Sequence, residues 1–152
     1  MSARRVRASP LDGGAMMRAI IVVRAAAGLL WLSQLVLGIL FWTGHALGLM
    51  QVHMVMGGLL VLALWALALL CARAGAPRAL VVLSMVWTAI LPVLGFAQFQ
   101  LLPGPHHWIV RVVHLVVGLV AMPLAGRLSI SVRPSSGTRA APPLEFSARQ
   151  HG

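Results

Sequence analysis

Four long apolar stretches, cut apart by glycine- and proline-bearing segments, leave this chain little choice of fold. They run from about Ala25 to Trp42, Leu49 to Leu70, Ala79 to Leu102 and Trp108 to Ala125. The hydrocarbon core of a bilayer takes roughly 20 apolar residues per helix, and each stretch is near that length or beyond it. In lipid every backbone amide must find its partner internally, so a segment of this kind becomes a helix. Thr43-Gly44-His45, Ala74-Gly75-Ala76-Pro77 and Pro103-Gly104-Pro105 supply the turns, and connections this short make sequential helices antiparallel neighbours. The predicted fold is an all-α integral membrane protein, a four-transmembrane-helix up-down-up-down bundle over residues 19–127. Basic tails at 1–18 and 128–152, rich in Arg, Ser, Pro and Ala, read as disordered and cytoplasmic. Pro92 should kink the third span by freeing the carbonyl of Thr88.

Composition agrees. The chain is 60% hydrophobic and 9% charged, whereas a soluble domain is about 45–50% apolar and about 25% charged. A chain this short could not bury so much apolar surface in water.

Arginine sets the expected orientation. All twelve basic residues are Arg. Eleven fall in the N-terminal segment (Arg4, Arg5, Arg7, Arg18, Arg24), the second loop (Arg73, Arg78) or the C-terminal segment (Arg127, Arg133, Arg139, Arg149). Only Arg111 lies towards the other side. The positive-inside rule then puts both termini in the cytoplasm. The formal charge of +10 does not point to nucleic acid, because no basic stripe is interleaved with aromatics along one soluble face. The first stretch is too long for a signal peptide and has no small-residue cleavage site behind it. An acid-poor, Arg-rich start also resembles a mitochondrial transit peptide, but a bacterial cytoplasmic membrane needs nothing beyond the orientation rule. The single cysteine, Cys71, excludes an internal disulfide and reads as a small buried hydrophobe.

Histidine is the informative residue type. His45, His53, His106, His107 and His114 all lie near the outer ends of the spans, and His53 and His114 are well inside apolar runs. An ionisable side chain at membrane depth is costly and marks a functional hypothesis. The two share a register: Val52-His53-Met54-Val55-Met56-Gly57 aligns with Val113-His114-Leu115-Val116-Val117-Gly118 at an offset of 61 residues, and His45 aligns with His106 at the same offset. The chain reads as two repeated helical hairpins, each giving its second helix a His-x3-Gly unit. Residues i and i+4 share a helix face, so each imidazole has a bare patch one turn deeper. Helices two and four should sit diagonally across the bundle. Two imidazoles at matched depth, each beside a glycine, suit bis-histidine axial ligation of a b-type haem. Arg111 stands one turn above His114, with His107 a further turn up. Arg111 is the only charged side chain on that side to hold propionates, and its fork suits carboxylates.

Other readings of the same residues stay open. Arg111 could snorkel to the headgroups, His53 could be interfacial, and Gly57 and Gly118 could serve close helix packing. Met50, Met54 and Met56 would allow a Cu(I) site, since thioethers select copper, although they are spread around the helix.

On Val52-His53…Gly57, Val113-His114…Gly118 and their spacing, residues 20–127 resemble one four-helix half of the heme A synthase family. That family carries two such bundles in tandem, each with haem-ligating histidines on its second and fourth helices. The resemblance implies His53 and His114 as ligands of the haem iron. It also implies that two copies could pair as a homodimer to imitate an eight-helix unit. The departures bear on activity. The family's catalytic half has a glutamate where this chain has Met50, and often a cysteine pair in the first outer loop, which is missing here. Asp12 and Glu145 are the only acids, and both fall in the expected cytoplasmic tails. No carboxylate is then available on the outer side for acid–base work. The expectation is a non-catalytic haem b-binding protein for electron transfer or haem handling, with a second copy or a redox membrane protein as its partner. The alternative is a non-redox small subunit or assembly factor acting through helix contacts. Ion-coupled transport is disfavoured because the spans contain no acid.

Overall fold

The computed structural model describes residues 10–98, 100–102 and 104–132. Four α-helices follow one another: α1 (Pro10–Trp42), α2 (Met50–Arg73), α3 (Arg78–Ala97) and α4 (His107–Ile130), with a short 3-10 turn at Leu47–Leu49 leading into α2. All four are long and apolar enough to cross a membrane. Their outer faces carry exposed Ile21, Leu29, Leu62, Val86, Val93 and Val116, as lipid-facing surfaces should.

Two helix ends are closed by the same device. Gly44 (φ 78°) and Gly75 (φ 87°) adopt the left-handed conformation that only glycine takes without steric cost. After α1 the Gly44 amide donates to Phe41 O and the His45 amide to Leu40 O; after α2 Gly75 donates to Ala72 O and Ala76 to Cys71 O. This is the Schellman pattern, which satisfies carbonyls the helix leaves unpaired. The chain therefore reverses where Thr43-Gly44-His45 and Ala74-Gly75-Ala76-Pro77 were expected to turn it.

The helix limits differ from the apolar stretches. Helix α1 starts at Pro10 and α4 runs on to Ile130, so residues 10–18 and 128–130 are helical where tails were expected. Charge interrupts the apolar runs at Arg24 and Arg127, but packing continues past them: Ile20, Leu128 and Val132 are buried, and Met16 and Val23 pack against the same cluster. Proline at the first turn costs no hydrogen bond. The rest of the expected tails, residues 1–9 and 133–152, lies outside the described residues. Helix α3 ends at Ala97, short of Leu102, and its helix continues through Pro92. Helix α4 likewise continues through Pro123.

Helix α2 touches α1, α3 and also α4, while α1 and α3 do not meet. The short diagonal of the bundle is thus α2 to α4, the two histidine-bearing helices. Packing along the bundle is uneven. A single cluster joins early α1 (Ile20, Ala27), late α2 (Leu60, Leu64, Leu67, Ala68, Cys71), Val81 of α3 and late α4 (Ala121, Ala125, Leu128). The opposite end, formed by late α1, early α2, late α3 and early α4, encloses a cavity. One end is solid and the other hollow. Among the described arginines, Arg18, Arg24, Arg73, Arg78 and Arg127 belong to the solid end, and Arg111 alone lines the hollow.

Candidate functional site

The cavity has a volume of about 650 Å³ and draws its walls from all four helices, a size within the range of roughly 300–1,000 Å³ usual for ligand and cofactor sites. Its lining is mostly apolar. Helix α2 contributes His53 and Gly57, and α4 contributes His107, Arg111, His114 and Gly118. All six residues singled out in the sequence therefore meet at one place, although they come from two helices and positions up to 65 residues apart. His45 and His106, the outer members of the repeat, are exposed and do not line it.

Both membrane-depth imidazoles are half-buried. In each, Nδ1 is sealed from solvent and has no hydrogen-bond partner, while Nε2 is not among the sealed atoms. An uncharged imidazole carries one donor and one acceptor nitrogen, so each ring has unused capacity directed at the interior. Phe41 of α1 packs its ring against His53 edge-on, with centroids 5.2 Å apart and planes at 72°. His107 reaches back to the loop, its Nδ1 lying 3.3 Å from the carbonyl of Leu101. Arg111 is exposed, at the cavity wall one turn from His114. Among the described residues no cluster of three or more His, Cys, Asp or Glu exists.

Helices α1 and α3 add residues that the sequence did not single out. Gln34 donates from Nε2 to the carbonyl of His53 at 2.7 Å. A carbonyl can only accept, so the amide nitrogen must face it. The other half of the amide, Oε1, is left buried without a partner. Gln34 also fills the space beside Gly57: a Cβ built on that glycine would stand 3.2 Å from Nε2. At Gly118 the nearest atom to such a Cβ is Leu91 Cδ2 at 3.8 Å. The two glycines do line the cavity, but the face bared at Gly57 is occupied by an amide from α1. On α3, a Cβ at Gly95 would lie 3.6 Å from His114 Cε1. Gln34 and Gly95 are themselves 61 residues apart, the offset that relates His53 to His114. One signal in the sequence could have found them: projecting the repeat backwards from the histidines to the preceding helix.

Three tryptophans join the helices at the level of the cavity floor, and of these Trp31 lines the cavity. Trp31 Nε1 donates to Gly118 O at 2.9 Å, joining α1 to α4. Trp87 Nε1 donates to Val117 O at 3.0 Å, joining α3 to α4. Trp65 Nε1 donates to Thr88 Oγ1 at 2.9 Å, joining α2 to α3. An indole N–H needs a partner when buried, and in each case that partner lies on another helix. Of the three methionines near His53, Met50 and Met54 line the cavity and Met56 does not.

No family model, curated protein or solved structure matches the chain.

Proposed function

We propose that this is a membrane haem b protein in which His53 and His114 would hold the haem iron, serving electron transfer or haem handling. The observation that carries the reading is that two histidines in the same repeat register share one apolar cavity with the lone arginine of that end of the bundle. The residues fit the group: two imidazoles with unpaired nitrogens on the short diagonal, a largely apolar slot of cofactor size, and a cation at its wall. Bound haem supplies one-electron ferric–ferrous chemistry. The chain's own residues do the rest. His53 and His114 would hold the iron, Arg111 would offer its guanidinium fork to the propionate carboxylates and His107 would add a second donor beside it. Among the described residues no carboxylate lines the cavity. The motif resemblance to one half of heme A synthase rests on the same two histidine turns and points the same way.

The same reading places four spans up-down-up-down in a bacterial cytoplasmic membrane, as two repeated hairpins with both termini cytoplasmic. The support is the arginine distribution, eleven of twelve on one side. The haem then lies near the outer face, and a second copy or a redox membrane protein would be its partner.

The absorption spectrum of protein expressed with ample haem decides the matter. A Soret band lost in the His53→Ala, His114→Ala double variant is the expected result. No band in the wild type, or one that survives the double substitution, overturns the proposal. The competing reading, a helper subunit acting through helix contacts, requires stoichiometric co-purification of a partner without any chromophore.

A further inference from the structure

We propose that the two axial positions are unequal: His53 is the fixed ligand and His114 the displaceable one. The inference rests on the haem reading above.

Three observations hold His53 in place. Its own carbonyl accepts the 2.7 Å hydrogen bond from Gln34, which ties that turn of α2 to α1. Phe41 packs edge-on against its ring at 5.2 Å. Gln34 fills the space beside Gly57, one turn deeper on the same face. Among the described residues the His114 carbonyl accepts no side-chain bond and its ring has no aromatic partner; α4 is tied only one turn deeper, where Trp31 and Trp87 donate to the carbonyls of Gly118 and Val117. The position on α3 that corresponds to Gln34 is Gly95, and that glycine presents only hydrogen towards the ring, since a Cβ there would sit 3.6 Å from Cε1. Just before it, Pro92 lacks the amide hydrogen that would anchor the preceding turn of α3. The repeat thus puts an amide beside one histidine and a bare glycine beside the other. Contacts around a metal-ligating histidine set its orientation, so the two Fe–N bonds would differ in how readily they open. The bond to His114 opens first.

Carbon monoxide reads this difference directly. With haem reduced by dithionite, one Fe–N bond to a histidine breaks and one Fe–C bond forms, and the iron stays ferrous throughout. The full-length protein in mild detergent is compared with four variants. His114→Ala should keep its haem as a five-coordinate species that binds carbon monoxide at once, and His53→Ala should lose most of its haem. Gln34→Leu, which leaves both ligands in place, should lower haem affinity several-fold, the effect of about one lost hydrogen bond. Gly95→Ala, whose methyl would make ordinary contact with the His114 ring, should slow carbon monoxide binding several-fold. Equal haem retention in the two histidine variants, or better retention in His53→Ala, overturns the inequality while leaving bis-histidine binding intact. If either histidine variant fails to fold, Gly95→Ala decides: an unchanged or faster rate overturns the proposal. A wild-type protein without a Soret band overturns this inference and the haem reading together.

Discussion

The indole of Trp31 on α1 donates a 2.9 Å hydrogen bond to the carbonyl of Gly118 on α4, the glycine that follows His114 by one helical turn. Wall, floor and candidate ligand are therefore mechanically joined. Replacing Trp31 by Phe keeps an aromatic ring and removes the donor. The expected cost is about 0.5–1.5 kcal/mol, read as a shift in reversible unfolding in detergent. Trp87→Phe should cost a similar amount through the lost bond to Val117, but Trp87 does not line the cavity. Only Trp31→Phe should also perturb the spectrum of a bound chromophore. A spectral change of equal size in both variants would contradict this division.

Gly57 and Gly118 occupy the same place in the repeat and should respond differently to alanine. Glycine inside a helix costs roughly 0.5–1 kcal/mol relative to alanine. At Gly118 the new methyl meets Leu91 at ordinary contact distance, so Gly118→Ala should gain about that much. At Gly57 the methyl lies 3.2 Å from Gln34 Nε2 and must displace the amide from the His53 carbonyl. The lost hydrogen bond, about 1 kcal/mol, cancels the gain. Thermal midpoints of the two variants should differ by that margin, and equal stabilisation would show that Gln34 yields freely.

Arg111 is predicted to act through its fork, not merely through its charge. Arg111→Leu should weaken haem retention roughly tenfold, in keeping with a hydrogen bond to a charged group. Arg111→Lys should recover only part of the loss, because an ammonium cannot grip a carboxylate bidentately. Dialysis against apomyoglobin measures the release rate. Full recovery by lysine would reduce the role of Arg111 to a point charge.

Sidedness is testable with the lone cysteine removed. In a Cys71→Ser background, Thr43→Cys should react with a membrane-impermeant maleimide added outside intact spheroplasts. Ala79→Cys, at the other end of the bundle, should react only after permeabilisation. The opposite pattern would invert the orientation deduced from arginine.

What the sequence made legible follows from what lipid enforces. A helix in a bilayer must be long, apolar and internally hydrogen-bonded, so the four helices show in hydropathy alone. The histidine pair showed for a similar reason: polar groups at membrane depth are rare enough to stand out, and the 61-residue offset tied His53 to His114. The contribution of α1 and α3 did not show. Gln34, Phe41 and Gly95 act on the histidines across helix–helix contacts, and nothing in the local pattern around Gln34 says which neighbour its amide meets. Gly57 was read as clearance because its own helix bares that face; only the approach of α1 reveals that Gln34 fills it. The start of α1 was misjudged because charge ends an apolar window at Arg24, whereas Ile20 and Met16 go on packing beneath it.

The contrast between a solid end and a hollow one has a mechanical meaning. From Leu64 to Cys71, and from Ala121 to Leu128, the bundle is riveted by buried side chains, and three indoles brace the level just below the void. Above that level the helices share fewer buried contacts, and segments with few buried contacts open at the least free energy. The molecule is built like a pair of tongs, with its pivot at the tryptophans and its jaws tipped by His53 and His114. If haem binds as proposed, a flat cargo would slip between the jaws by spreading them, without loosening a rivet.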